Sequence, residues 1–313
     1  VTLAGLAKPA GEGFSPRFVV VSYLPSLAAA VFLLLLVWAG APGPLTWSRA
    51  WKTAAGLGAG EVIGLAVALT LLAVALMPLQ LTMVRLLEGY WPRPLAPLDR
   101  LLRVVQRWRR GRLEKRAELP GDAEPTPAQV LAAGLAGTQL ERRFPDEEHV
   151  RATSLGNVLA AAEQRAGANY GWDAVVAWPR LYPVLTDQVR AVVDARRDSL
   201  DSTARLALTG VVTAVASAAL LARSGWWWPL ALAPLAVGWL AYAGAVRAAV
   251  AYGEALIVAF DLGRFALLTA LHLPLPRTRA DERRLAEGLC LQWRQGVQLP
   301  DEYDHGDDPP SAA

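Results

Sequence analysis

LALTGVVTAVASAALLARSGWWWPLALAPLAVGWLAYAGAV, Leu206–Val246, decides how this chain is read. Two apolar runs, Leu206–Ala222 and Trp226–Val246, are separated only by Arg223, Ser224 and Gly225. Arginines close both ends, Arg205 before and Arg247 after. Apolar runs of this length with few charges read as membrane-crossing helices. The short break makes them a hairpin, and Trp226, Trp227 and Trp228 make an aromatic anchor at headgroup level.

Working outward, two more blocks have the same character. Val19–Gly40 would be about 33 Å long as a helix, enough to cross the hydrocarbon core. A cleaved leader is its rival reading, because Ala39-Gly40-Ala41 imitates a cleavage site. The apolar core is longer than a leader requires and Pro42 follows the site, so a retained helix is expected. Val62–Val84 is the other block, extended backward through Ala54–Gly60 and closed by Arg85. The expected fold is therefore all-α and integral to a membrane. Four transmembrane helices form two hairpins, and a helical cytoplasmic domain lies between them.

Composition agrees. Of 313 residues 54% are hydrophobic and 19% charged, and the mean hydropathy is +0.28. A single cysteine, Cys290, excludes an intrachain disulfide framework and a cysteine-based metal cluster.

The basic residues set an orientation. Ten of them follow the second block, from Arg85 to Arg116, whereas the loop Ala41–Thr53 holds only Arg49 and Lys52. Basic flanks favour the cytoplasmic side. The middle of the chain and both termini are then cytoplasmic. The divisions expected are an N-terminal segment 1–18, a first hairpin 19–84, a cytoplasmic domain 85–204, a second hairpin 205–247, a helical extension 248–298 and an acidic disordered tail 299–313.

The cytoplasmic middle reads as helical. Leu98, Leu101, Leu102, Val105 and Trp108 recur at helical spacing, facing away from the arginines. Leu119–Pro127 is a linker, and Thr126-Pro127 opens a helix to about Phe144. Thr153 or Ser154 caps the next, Leu155–Ala166, and Gly167 and Gly171 bracket a turn. From Thr186 nothing breaks the pattern, so one continuous helix is expected from Asp187 to about Ala222. The fourth block is expected to run on toward Pro274, and Asp281–Trp293 to form a last helix.

The candidate site is Leu155–Leu185. Trp172, Trp178 and Tyr182 line a pocket there with Asn157, Glu163, Asp173 and Arg180 as its polar groups, or the tryptophans fill a small core. In the second case Asp173 caps a helix or pairs with Arg180. Glu61 is either an intramembrane carboxylate or a group at the interface. Arg103, Arg107, Arg109, Arg110 and Arg112 either contact lipid headgroups or only mark topology. Gly56, Gly60 and Gly64 form a stripe of small side chains suited to close helix packing, within the bundle or in a homo-oligomer. Asp187, Asp194, Asp198 and Asp201 alternate with arginines at three- and four-residue spacings, which ordinary helix pairs explain.

No metal site, cofactor or nucleic-acid motif is present, and no phosphate-binding, dinucleotide-binding, zinc-protease or serine-hydrolase signature. The leading expectation is a membrane-anchored binding or signalling module with a cytoplasmic partner. An oligomeric channel with the layout of the bestrophins is the alternative, and a membrane-surface enzyme a third.

The runs LGNVLAAAE (Leu155–Glu163), YGWDAVVAWPRLYPVL (Tyr170–Leu185) and ARRDSLD (Ala195–Asp201) resemble a group of bacterial, mainly actinobacterial, multi-pass membrane proteins. The resemblance is strongest over Thr153–Ser202. It implies a membrane hairpin on each side of a cytoplasmic segment and carries no assigned activity.

Overall fold

The structure is a computed structural model that describes residues 24–119 and 125–297, and of residues 72–84 the backbone alone. Ten α-helices follow one another among the described residues, with no strand. They are α1 (Leu24–Ala39), α2 (Trp47–Ala55), α3 (Ala59–Leu87), α4 (Ala96–Ala117), α5 (Pro127–Arg143), α6 (Ser154–Arg165), α7 (Ala174–Val184), α8 (Asp187–Leu221), α9 (Leu232–Ala270) and α10 (Arg279–Gln295). The N-terminal segment 1–18, the start of the first block and the acidic tail lie outside the described residues.

Two helical runs are long and apolar enough to cross a membrane: α8, and Gly225–Ala270, in which a 3-10 turn leads into α9. Among the described residues a third is counted when the pair Trp47–Ala55 and Ala59–Leu71, bent by 110°, is taken as one span. Among the described residues, therefore, two or three of the four expected crossings are seen. The first block is described only from Leu24, and its 16 residues span about 24 Å, less than a full hydrocarbon core.

The expected backward extension of the second block is also broken. Gly56 N–H closes α2 on Lys52 O at 3.0 Å. Gly58 N–H then donates to the Glu61 carboxylate at 2.9 Å. A donor left over at a helix start takes a side-chain acceptor, which nucleates a new helix rather than continuing the old one.

By its contacts the chain divides into two units. One holds the described chain to Trp91 together with Asp198–Ala248. Leu36, Ala39, Leu45, Ala50, Leu221 and Ala231 form a buried cluster in it. The loop ends are tied by Ser224 Oγ–H donating to Gly43 O at 2.8 Å and by an edge contact of Trp47 with Trp227, centroids 5.9 Å apart. Here α8 and α9 touch backbone to backbone: a Cβ on Gly210 would stand 2.6 Å from Gly238 Cα. Small residues permit that approach.

The other unit holds Pro92–Arg197 and the described chain from Ala249. In it α4 packs on α5 and α5 on α6. Thr126 and Gln129 close a capping box at the start of α5, and Thr153 caps α6 through Gly156 N–H at 3.0 Å. Two glycines of α9 let that helix lie against its neighbours. A Cβ on Gly253 would meet the Ala162 methyl at 2.7 Å, and one on Gly263 the Leu185 side chain at 2.5 Å. Helix α9 thus runs on past the fourth block, as expected, and its second half packs on this unit. Helix α10 packs back on α7 and on the turn Ala168–Tyr170.

Candidate functional site

The segment 154–185 is folded around its tryptophans. Asp173 caps α7, accepting from Val175 N–H at 2.9 Å and Val176 N–H at 3.2 Å. The buried face of α7 is Ala174, Ala177, Trp178 and Leu181. Trp178 is buried against Phe260 of α9 and Tyr182 of its own helix, with centroids 6.2 and 5.7 Å apart. Trp172 precedes the helix, is buried, and stacks on Trp293 of α10. Both tryptophans are thus core, and Pro179 and Pro183 lie inside α7.

Gly167 and Gly171 set up this turn, with φ of +76° and +81°. Only glycine takes these values without steric cost. The space is also used: a Cβ on Gly167 would meet the Phe260 ring at 2.7 Å, and one on Gly171 the Arg283 carbonyl at 2.9 Å.

The polar candidates are tied down one by one. Asn157, fully buried, accepts from Arg151 N–H at 2.6 Å and donates to Arg151 O at 3.1 Å and to Gln106 Oε1 at 3.4 Å. A buried amide must be satisfied in this way, and it pins the loop before α6 to α4. Glu163 pairs with Arg151 at 3.2 Å. Asp173 pairs with Arg294 of α10, not with Arg180. Arg180 instead sets its guanidinium 4.4 Å from the centroid of Trp293. Tyr182 donates to Asp194 at 3.0 Å. Burial, and then that carboxylate acceptor, raise the Tyr182 pKa above the usual phenol value.

What the fold brings together is a different set from the one expected. An open cleft of ≈ 290 Å³ is lined by His149, Arg151, Ala160, Glu163, Gln164, Trp172, Asp173 and Val175. Three of the expected residues are here: Glu163, Trp172 and Asp173. Trp178, Arg180, Tyr182 and Asn157 are not. His149, Arg151 and Gln164 join instead, with His149 Nδ1 and Gln164 Nε2 3.1 Å apart. The cleft combines Arg151, Glu163, Asp173 and His149, with the largely buried Trp172 at its edge.

Cys290 lies under this turn, accepting from Asp173 N–H at 3.3 Å. Burial pushes its thiol up to about 11, so it is no nucleophile at neutral pH. Among the described residues no group of three or more His, Cys, Asp or Glu side chains is arranged to hold a metal ion.

The remaining candidates fall elsewhere. Glu61 is exposed at the first turn of α3 and caps it. Gly60 and Gly64 are exposed, and an added Cβ there would meet nothing within 4 Å, whereas one on Gly56 would meet its own helix at Lys52 O. Arg103 pairs with Asp99 at 2.8 Å and Arg110 with Glu114 at 3.0 Å. Both also donate inward, to Val150 O and Pro145 O. Arg107, Arg109 and Arg112 remain exposed.

Compared with protein-family models, curated proteins and solved structures, the chain finds no match.

Proposed function

We propose that this chain is a membrane-anchored binding module of a bacterial plasma membrane. In this reading α1 with α3, and α8 with α9, cross the bilayer as two hairpins, and both termini and the unit containing α4–α7 are cytoplasmic. The arginine-rich stretch after α3 supports the orientation. The bend before α3 supports it too. On α2 the apolar stripe Trp47, Ala50, Trp51 and Ala54 opposes Arg49 and Lys52, the pattern of a helix lying in the interface. Trp226 and Trp228 are exposed at the other loop of the same unit, as an outer aromatic belt requires.

The observation that carries the binding role is the cleft lined by His149, Arg151, Glu163, Gln164 and Trp172. Charges of both signs around one cleft fit a small zwitterionic or mixed-charge ligand better than an apolar one. The test is thermal unfolding of the purified full chain against a panel of amino acids, polyamines and nucleotides. A compound that raises the midpoint in the parent and not in Val175→Trp, which fills the cleft, supports the reading. A panel without a single cleft-dependent shift counts against it.

The channel reading draws on the bare face at Gly60 and Gly64, which suits close contact with another copy. Ion flux in liposomes, together with the mass of the assembly in detergent, separates the two.

A further inference from the structure

We propose that the outward face of α4 rests on an anionic membrane surface, the charge-bearing inner leaflet of the bilayer that holds the chain. This rests on the membrane reading above.

Helix α4 has two faces. Inward, Gln106 is buried and bonds to Asn157 and Ser154, while Arg103 and Arg110 reach Val150 O and Pro145 O. On the opposite arc Leu101 and Val104 are each 60% exposed and Trp108 59%, with Leu98 and Val105 beside them. These positions recur at three- and four-residue spacing, so they form one stripe. A helix that only covers a soluble core turns its polar side outward. Here packing already uses one face, and the apolar stripe is left over on the other.

Arginines surround that stripe. Arg100 and Arg107 flank one edge, Arg109 the other, and Arg112 lies within it, its guanidinium 4.8 Å from the Trp108 ring centroid. None of the four pairs with a carboxylate among the described residues. An apolar stripe edged by long basic side chains is what lies flat on an anionic bilayer: the indole and aliphatic groups enter the acyl boundary and the guanidinium groups meet phosphate.

The other occupants fit less well. Two copies placed face to face would bring these arginines together, like charge against like. The acidic segment 299–313 offers carboxylates, but only Leu299 and Tyr303 as large apolar side chains to meet the stripe. The chain also enters α4 only nine residues after leaving α3 at Leu87. At full extension that is about 30 Å, so α4 cannot lie far from the bilayer if α3 is within it.

The experiment uses the full chain in nanodiscs, with single cysteines at Leu101, Val104 or Trp108 labelled by bimane. Cys290 stays unlabelled because it is buried and protonated. A label at Val67 in α3 is the control. Discs of phosphatidylcholine are compared with discs that also contain phosphatidylglycerol. The expected result is a blue shift and a several-fold loss of iodide quenching at 101, 104 and 108 in the anionic discs, reversed by Arg107→Glu with Arg109→Glu. Val67 is protected in both. If Val67 is protected and the α4 labels stay open to iodide in both discs, this inference fails and the membrane reading stands. If Val67 is open to iodide, the membrane reading fails and this one with it. Protection seen only with two copies per disc, or lost on removing residues 299–313, assigns the face to protein and overturns the proposal.

Discussion

The indole of Trp172 lies nearly parallel to that of Trp293, their planes 19° apart and their centroids separated by 6.0 Å. This stack holds α10 against the turn before α7, with the Asp173–Arg294 ion pair and the Arg180 guanidinium over Trp293 beside it. Cys290 is buried one helical turn before Trp293.

The first prediction follows. Trp293→Ala removes a half-buried ring from the stack, and aromatic pairs contribute about 0.5–1.5 kcal/mol beyond their buried area. Helix α10 is expected to loosen and Cys290 to become reactive. Maleimide should leave the native parent unmodified at neutral pH and modify Trp293→Ala within the same period. Equal protection in both would mean that α10 is held without the stack. Trp172→Ala, at a buried position, is expected to cost more, about 3–5 kcal/mol.

The Cys290 thiol also predicts a pH dependence. Its ordinary value of 9.0 is raised to about 11 in the fold, first by burial. The folded chain therefore holds a proton that the unfolded chain releases. Stability from this group is complete below about pH 9 and is lost as pH rises toward 11. Between pH 8 and pH 10 the loss is on the order of 1 kcal/mol, by the linkage of pKa to stability. Tyr182 is raised as well and acts in the same direction at higher pH. The measurement is therefore a difference: Cys290→Ala is expected to lose about that much less between pH 8 and pH 10 in chemical unfolding. An identical loss in both chains refutes the assignment.

Glycines give a third prediction, because Gly210 and Gly64 differ in surroundings. Gly210→Ala forces a methyl to within 2.6 Å of Gly238 backbone. Overpacking of that kind costs about 1–3 kcal/mol. Gly64→Ala meets nothing within 4 Å, and a Gly to Ala change inside a helix favours the helix by up to about 1 kcal/mol. Thermal midpoints of the purified chains should fall for the first and hold or rise for the second. A drop in assembly mass with Gly64→Ala, at unchanged midpoint, would show that a second copy covers this face.

How much of this was legible in the sequence depends on the range of the interaction. Local signals read well. The Thr126 cap, the Thr153 cap, the turn between Gly167 and Gly171, and the unbroken run from Asp187 are all set by neighbours within four residues. The break at Gly56–Gly58 was missed because hydropathy alone does not distinguish an apolar helix from a corner between two. The cleft was read only in part. Glu163, Trp172 and Asp173 lie in the distinctive stretch, but His149 and Arg151 sit in the loop before it and carry no motif. Arg294 and Trp293 reach the site from 121 residues beyond Asp173 and Trp172, and no periodicity reports such a contact. On α4 the apolar stripe was visible, and its exposure was not, because Gln106, Arg103 and Arg110 turned out to be the packing face.

The last prediction concerns α8, which runs from Asp187 to Leu221 as one helix of 35 residues. Its first residues belong to one unit and the rest to the other. Near the division Ser202 Oγ–H donates to Asp198 O at 2.5 Å and Thr203 Oγ1–H to Ser199 O at 2.8 Å. These side chains turn back on their own helix and leave its backbone ladder intact. A continuous helix carries tilt or rotation at one end to the other, and under the proposed function a response to a ligand in the cleft is passed along it. Proline at 202 removes one ladder bond and clashes with the carbonyl four residues earlier, costing about 3 kcal/mol and kinking the helix. Ser202→Pro is expected to insert into the membrane as the parent does and to lose any ligand-dependent change at the α8–α9 loop, read by a fluorophore at Ser224. The helix itself is checked first with spin labels at Arg190 and Ala218. Twenty-eight steps at 1.5 Å place these backbones about 42 Å apart. A markedly shorter distance in the parent means that α8 is broken between these positions, and the lever is then abandoned. A distance near 42 Å in the parent that shortens in Ser202→Pro supports it.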